Sequence, residues 1–469
     1  IFSCGLGLGL VFVLQFSNFR LSAKPHILFS FTEITGEIAF VPSIIIIPYI
    51  MQKKGRRKAS IATILPILLG WVLILFSKSL LALVIVTALF SASIGGAVAI
   101  SSIIVSEFST PKYRGAILML ETVMLYFGVL ISHICGVLGY LKLIPYVGII
   151  SAIYALLVTY YWIESPYWLI SQGHIEKSMD NFYLIRGKDE EAIKEMNDLL
   201  LIYKAKMQVE ALKPIFKKSF RDRVIKYIKS LLSTDFLRPL CIMILLFTFV
   251  VFAEESLNKN FSFGDLFNLS GKYNGTIVID VITVSCAITT CVLLQLKRRK
   301  SLFMITGSVS VLFLFLAGLY LALQTFGILS ADYTWLYVAF GTLFAIFMSL
   351  GTTALPFSIL GEIFPMAYKG VGSSLTCTYL WASGNTVKRF VPPLTALVGR
   401  HCMIFIFVVI MLVILVIVRK ILPETNGKSL IEIEEYSYEV SNESRIEILN
   451  QNEEDVRSLD KLKLLIEYV

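Results

Sequence analysis

Residues 80–106 read LLALVIVTALFSASIGGAVAISSIIVS, 27 positions without one charged side chain. An α-helix rises 1.5 Å per residue, so about 20 apolar residues cross the hydrocarbon of a bilayer. The run is too long and too evenly apolar for the buried stripe of a soluble helix. Working outward from it, similar runs lie near 1–19, 36–51, 60–77, 115–139, 144–162, 236–253, 275–296, 302–324, 334–360, 370–394 and 402–420. Twelve spans are therefore predicted. The second is short and carries Pro42 and Pro48, which predicts a kinked helix. Residues 1–19 resemble the core of a signal peptide, but no small-x-small cleavage site follows clearly, so they are read as a first span.

Composition points the same way. The 469 residues are 56% hydrophobic and 16% charged, against about a quarter charged in an average soluble domain. Mean hydropathy is +0.77. These values exclude an ordinary soluble enzyme, a disordered chain and a collagen-like fibre. The net charge of +9 sits in short loops between apolar runs, not on one soluble face, so nucleic acid is not an expected partner. Seven cysteines show no CxxC or Cys/His zinc spacing, and are read as small apolar packing residues with no cofactor or metal implied.

Basic residues set the orientation. Lys53, Lys54, Arg56, Arg57 and Lys58 follow span two, and Lys297, Arg298, Arg299 and Lys300 follow span eight. The alternate loops hold few, which predicts cytosolic even-numbered loops and two cytosolic termini. The loop after span seven carries three glycosylation sequons, at Asn260, Asn268 and Asn274, usable only on the outer face. The sequon at Asn442 would be cytosolic and unused. The basic clusters recur at the same place in each half, the internal repetition of a transporter with two pseudo-symmetric bundles. The expected organisation is an all-α membrane protein. A six-helix bundle covers 1–162, a cytosolic helical linker 163–235, a second bundle 236–420, and an acidic cytosolic tail 421–469.

Several strings resemble the sugar porter branch of the major facilitator superfamily. They are Lys54-Gly55-Arg56-Arg57; Ser106-Glu107 with Arg114-Gly115; Glu164-Ser165-Pro166-Tyr167-Trp168-Leu169; Gly361-Glu362-Ile363-Phe364-Pro365 with Lys369-Gly370; and Pro423-Glu424-Thr425 with Gly427-Lys428-Ser429-Leu430. Ile170-Ser171-Gln172-Gly173, Leu184-Ile185-Arg186-Gly187, and Trp381 followed by Val387-Lys388 are most similar to the insect facilitated trehalose transporter subgroup. The resemblance implies a twelve-helix fold that exposes a central site to either face in turn, a sugar as the small-molecule partner, and a monomeric transport unit in the plasma membrane. It further implies a charge cluster of Arg56, Arg57, Glu107, Arg114 and Glu164 in the first half, and Glu362, Lys369 and Glu424 in the second, holding the cytosolic side shut. The alternative is that these charges only set topology and solvate helix ends.

A sugar site needs amide, hydroxyl and carboxylate partners and an aromatic face. The candidate substrate-binding set is Thr122, Asp280, Thr283, Phe357, Trp381 and Asn385. The chain departs from its relatives here. The Gln-Gln-x-x-Gly-x-Asn pattern of span seven is replaced by Val250-Val251-Phe252-Ala253-Glu254-Glu255-Ser256-Leu257. The Pro-Trp pair of span ten is Pro356-Phe357, and the Asp of the Asp-x-x-Gly-Arg-Arg signature is Gln52 in the first half and Gln295 in the second, which also lacks the glycine. Asp280 either faces a polar cavity, meeting substrate or a cation, or sits at the membrane interface. Glu254 and Glu255 are read as lying beyond a helix that ends at Ala253. Glu121 faces the cavity or an unread basic partner, and Lys388 and Arg389 are expected to snorkel outward. Span one has no acid, which favours passive facilitation over proton symport unless Asp280 supplies the coupling. Three functions follow: a facilitative carrier of trehalose or a hexose, a diverged non-transporting or sensor-like relative, and a carrier of another small solute. The absence of HExxH, GxxxxGK[ST] and GxSxG argues against an enzyme.

Overall fold

The computed structural model describes residues 25–76, 79–212, 231–260, 274–329, 333–365, 368–428, 430, 432 and 433. Span one, most of the sequon loop and the tail past 433 lie outside the described residues. The other eleven spans form helices. In the first half these are α1 (Pro25–Lys54), α2 (Arg56–Phe76), α3 (Leu80–Phe108), α4 (Arg114–Val137) and α5 (Ile144–Tyr161). Three more polar helices follow: α6 (Pro166–Ser171), α7 (Ile175–Arg186) and α8 (Glu190–Leu212). The second half contains α9 (Thr234–Asn260), α10 (Asn274–Leu296), α11 (Arg299–Thr325), α12 (Thr334–Phe347), α13 (Leu355–Ile363), α14 (Lys369–Val398) and α15 (Arg400–Ile421).

Two boundaries differ from the sequence reading. The second span is not short: α1 continues helically through Pro42 and Pro48 from Pro25. Its polar residues masked the true length in a hydropathy count. Helix α9 does not stop at Ala253 but runs on to Asn260. Ser256 hydrogen-bonds the Phe252 carbonyl, and Glu254 and Glu255 line a cavity instead of meeting lipid, so their charge does not end the helix.

Span ten is broken. A π-helical turn, Met348–Thr352, separates α12 from α13, which opens on Leu355-Pro356. The Thr353 amide donates to the Met348 carbonyl, five residues back. Thr290 of α10 brings its hydroxyl 2.8 Å from the Leu350 carbonyl, satisfying backbone that the break releases.

The halves meet through pseudo-equivalent contacts. Helix α4 packs on α10, and α14 packs on α1. Helix α13 packs on α3 and α4, and α14 packs on α3. Hydroxyls knit the seam: Ser373 of α14 donates to the Ala99 carbonyl at 2.6 Å, and Ser374 to the Ile44 carbonyl at 2.8 Å. These buried polar groups explain why α14 is absent from the ten helices apolar enough to be recognised as spans by composition. Helices α6 to α8 form their own apolar cluster around Phe182 and Met196, joined by Leu430. Within it the Tyr167 hydroxyl donates to Glu195, which also pairs with Arg186 at 2.7 Å. Burial and the Glu195 carboxylate push the Tyr167 phenol above its ordinary range.

At Gly361 the backbones of α13 and α3 approach so closely that a Cβ would overlap the Ser102 carbonyl. Gly361→Ala is expected to cost roughly 1–3 kcal/mol, as overpacking does, and to lower the thermal midpoint of the detergent-solubilised protein by several degrees. Gly384→Ala, where a Cβ meets nothing within 4 Å, should leave the midpoint unchanged.

Candidate functional site

Each half begins one helix with an arginine whose amide is capped by a carboxylate from the far end of that half. In the first half Glu164 accepts from the backbone amides of Arg56 (2.7 Å) and Arg57 (3.3 Å). The Arg56 guanidinium pairs with Glu107 at 2.5 Å, and the Ser165 hydroxyl donates to Glu107 at 2.6 Å. In the second half Glu424 accepts from the amides of Arg299 (3.1 Å) and Lys300 (3.2 Å). The Arg299 guanidinium pairs with buried Glu362 and donates to the Thr425 hydroxyl at 3.0 Å. Negative groups at helix N-termini satisfy free amides and complement the helix dipole. Gly55, at φ 97°, leaves room for Glu164, whose carboxylate a Cβ would strike. The second half dispenses with glycine because Arg298 adopts ordinary extended backbone.

Two contacts cross between the halves at this basic rim. The Arg114 guanidinium lies 3.8 Å from Glu362, both side chains fully buried, and also donates to the Lys428 carbonyl at 3.2 Å. Buried Lys369 lies within electrostatic reach of Glu107. Each carboxylate thus serves an arginine of its own half and a cation of the other. Arg57 stands apart and stacks its guanidinium on Tyr160, 5.0 Å from the ring centre.

Deeper in the membrane lies a cavity of about 220 Å³, lined by α9 (Val250, Val251, Glu254, Glu255), α13 (Phe357) and α14 (Leu380, Trp381, Gly384, Asn385, Lys388). Trp381 sits 12 residues past Lys369, about 18 Å along the helix and so near mid-membrane. Its ring stacks on Phe40 of α1, centroids 3.8 Å apart. Its buried indole N–H has no hydrogen-bond partner among the described residues, a donor free for a ligand oxygen. Glu254 interacts electrostatically with Lys388 and with Tyr126 of α4, and Tyr126 hydrogen-bonds Thr353 beside the span-ten break. The chamber is therefore aromatic on one wall and charged towards the end opposite the basic rim.

Of the six candidate substrate residues, Phe357, Trp381 and Asn385 share this cavity. Thr122, half-buried in α4, does not line it. Thr283 turns its hydroxyl to the Ile279 carbonyl of its own helix. Asp280 meets His133 of α4, Nδ1 to Oδ2 2.5 Å. Lys388 and Arg389 do not simply snorkel: Lys388 enters the cavity, and Arg389 pairs with Glu37 of α1 at 2.6 Å. Glu121 bonds Ser101 of α3. All eight candidate gating residues fall on the basic rim, and the structure adds Arg299, Ser165 and Thr425 to them. Recurrence held the signal for these three: Glu164-Ser165 repeats as Glu424-Thr425, and Arg56 as Arg299. Asn268 lies outside the described residues; Asn260 ends α9 and Asn274 begins α10.

The chain can now be set beside known proteins. The family model described as sugar (and other) transporter matches residues 32–436. A facilitated trehalose transporter of Polypedilum vanderplanki is 26% identical over 388 residues, 81% of this chain and 73% of the relative. That of Bombyx mori is 23% identical, covering 82% and 74%. The relative from Drosophila virilis is 22% identical, and the match spans only 41% of its length. Among solved structures, the major facilitator proton:xylose symporter XylE bound to 6-bromo-6-deoxy-D-glucose superposes with a TM-score of 0.71, at 17% identity, over 92% of this chain and 97% of that one. The inward open conformation of XylE from E. coli gives a TM-score of 0.58, at 15% identity, over 93% and 96%. The fold is that of the major facilitators, with eleven of its membrane spans among the described residues. The family pattern runs through both halves and through every motif of the basic rim, and the chain belongs to the sugar (and other) transporter family.

Proposed function

We propose that the protein is a facilitative carrier of a neutral sugar, trehalose or a hexose, working by alternating access. The observation that carries this reading is the buried Arg114–Glu362 ion pair that joins the halves at one rim, with Lys369 within electrostatic reach of Glu107 and an aromatic and polar cavity above them. Trp381 and Phe357 offer apolar ring faces to a sugar, and the Trp381 N–H, Asn385, Glu254 and Lys388 offer hydrogen bonds to hydroxyls. The named relatives are trehalose transporters, which supports the substrate class. Val250 and Val251 add apolar walls to the cavity.

In this reading the basic rim is cytosolic, as are both termini, and the membrane is the plasma membrane. Residues 1–162 and 236–420 are the moving bundles, 163–235 the linker between them, and 421–469 the tail. Asn260, Asn268 and Asn274 then lie outside as glycan acceptors. The transport unit is a monomer.

Purified protein in liposomes should take up radiolabelled trehalose or glucose saturably, without an imposed ion gradient and without loss on adding a protonophore. Uptake at background from vesicles holding correctly folded protein would leave the reading of a non-transporting relative. Trp381→Leu should raise the half-saturating concentration about tenfold, which corresponds to ~1.4 kcal/mol of binding. An unchanged value would remove Trp381 from the site.

At the rim, Glu362→Gln leaves two guanidiniums without a carboxylate, and breaking a buried pair costs about 3–5 kcal/mol. Turnover per molecule should fall at least about tenfold, while surface abundance changes far less. Parallel loss of both would mean that Glu362 only supports folding.

A further inference from the structure

The rim opposite the basic one carries a second set of charge pairs, and it repeats the same pseudo-symmetry. On α14, Arg389 lies 20 residues past Lys369; on α4, His133 lies 19 past Arg114. Their partners correspond too. Glu37 on α1 precedes Lys53 by 16 residues, and Asp280 on α10 precedes Lys297 by 17. At 1.5 Å per residue these pairs stand about 24–30 Å from the basic rim, most of the thickness of the hydrocarbon core. Arg389–Glu37 (2.6 Å) joins α14 to α1, and His133–Asp280 (2.5 Å) joins α4 to α10. Both therefore bind one half of the molecule to the other.

The two pairs differ in chemistry. Arg389 is 59% exposed and stays charged. His133 and Asp280 are 7% and 18% exposed. Ionisable side chains within a span are costly and are retained where they work. Histidine is the side chain whose charge ordinarily changes near neutral pH. We propose that His133 and Asp280 form a proton-binding site that latches the outer ends of the two bundles. With neutral imidazole, Nδ1–H donates a single hydrogen bond to the carboxylate. With a second proton on Nε2, the same contact becomes an ion pair in a low-dielectric setting and separates less readily. The proton is the ligand, and acid strengthens the latch.

The charged residues of the neighbouring helices lie at the other rim: Glu107 on α3, Glu362 on α13, and Arg299 and Lys300 on α11. Helix α12 offers Tyr337, α10 itself Cys286 and Cys291, and the π turn no ionisable group. On α4, Glu121 and Tyr126 stand 12 and 7 residues away, and Cys135 two residues on. Lys142, in the short 3-10 turn that follows, is the remaining cation on an element packed against α4.

The inference goes beyond facilitated transport and has a readout that needs no substrate. Spin labels at Leu138→Cys, the residue after α4, and at Val281→Cys on α10, in a background without native cysteines, report the outer separation. Moving both faces from about pH 7.5 to about pH 5.5 should shift the distribution towards the short distance. In sugar uptake with equal pH on both faces, the same change should slow turnover roughly fivefold, the scale of a modest coupling between sites. His133→Gln keeps the hydrogen bond but cannot gain the charge, and should flatten both responses at equal abundance. Asp280→Asn should flatten them as well. Glu37→Gln should alter the rate while leaving the pH response intact. A pH-independent distance distribution in the unmutated background overturns the proposal, as does a full pH response in His133→Gln. Acid acceleration of uptake also overturns it and marks the pair as a symport site.

Discussion

A guanidinium at the end of a membrane helix must be neutralised where it stands, because neither lipid nor buried protein will solvate it. Glu362 does this for Arg299 of its own bundle and for Arg114 of the other. Much of the molecule follows from that shared carboxylate. Gly361, immediately before it, is small because α13 must approach α3 closely enough for the two arginines to converge. Glu424 and Thr425 fold back on Arg299 and so fix where the chain leaves the last span. One charge cannot be satisfied without positioning helices from both halves, and this makes the bundle contact ionic as well as apolar.

Long apolar runs and the repeated basic clusters made the helix count and the two-half organisation readable, since both rest on composition over twenty-residue windows. Arg56, Glu107, Arg114 and Glu164 were readable as a group because they sit in short motifs at span ends. What escaped was contact between distant motifs. Nothing local to Glu362 says that its nearest guanidinium is Arg299, 63 positions earlier. His133 escaped for another reason: a lone histidine in an apolar run reads as a core residue, and only the approach of Asp280, 147 positions on, gives it a role. Glu254 and Glu255 misled because a hydropathy reading assumes lipid beside every span, whereas α9 faces a polar chamber there.

The chamber shows how the family fold tolerates exchange of its site chemistry. Neutral amides bind hydroxyls as both donors and acceptors. A carboxylate and an ammonium divide those roles between them, and Glu254 with Lys388 supplies both within one cavity. Charge there is affordable because each ion has an opposite neighbour and an open side. The rigid part of the site is the aromatic wall, where stacking on Phe40 holds the Trp381 ring. That contact also crosses from α14 to α1, so the proposed substrate ring belongs to the seam between the two halves.

The two rims are unequal in burial. At the basic rim Arg114 and Glu362 are fully buried, and separating such partners costs several kcal/mol. At the far rim Arg389 is largely and Glu37 partly exposed, and exposed pairs contribute about 1 kcal/mol or less, while His133–Asp280 is mostly buried. In the proposed alternating-access reading, opening the basic rim breaks a fully buried ion pair. In that reading, substrate contacts with Trp381 and Glu254 are what would offset the cost of parting those buried ions, so that occupancy of the chamber and release of the inner rim are coupled.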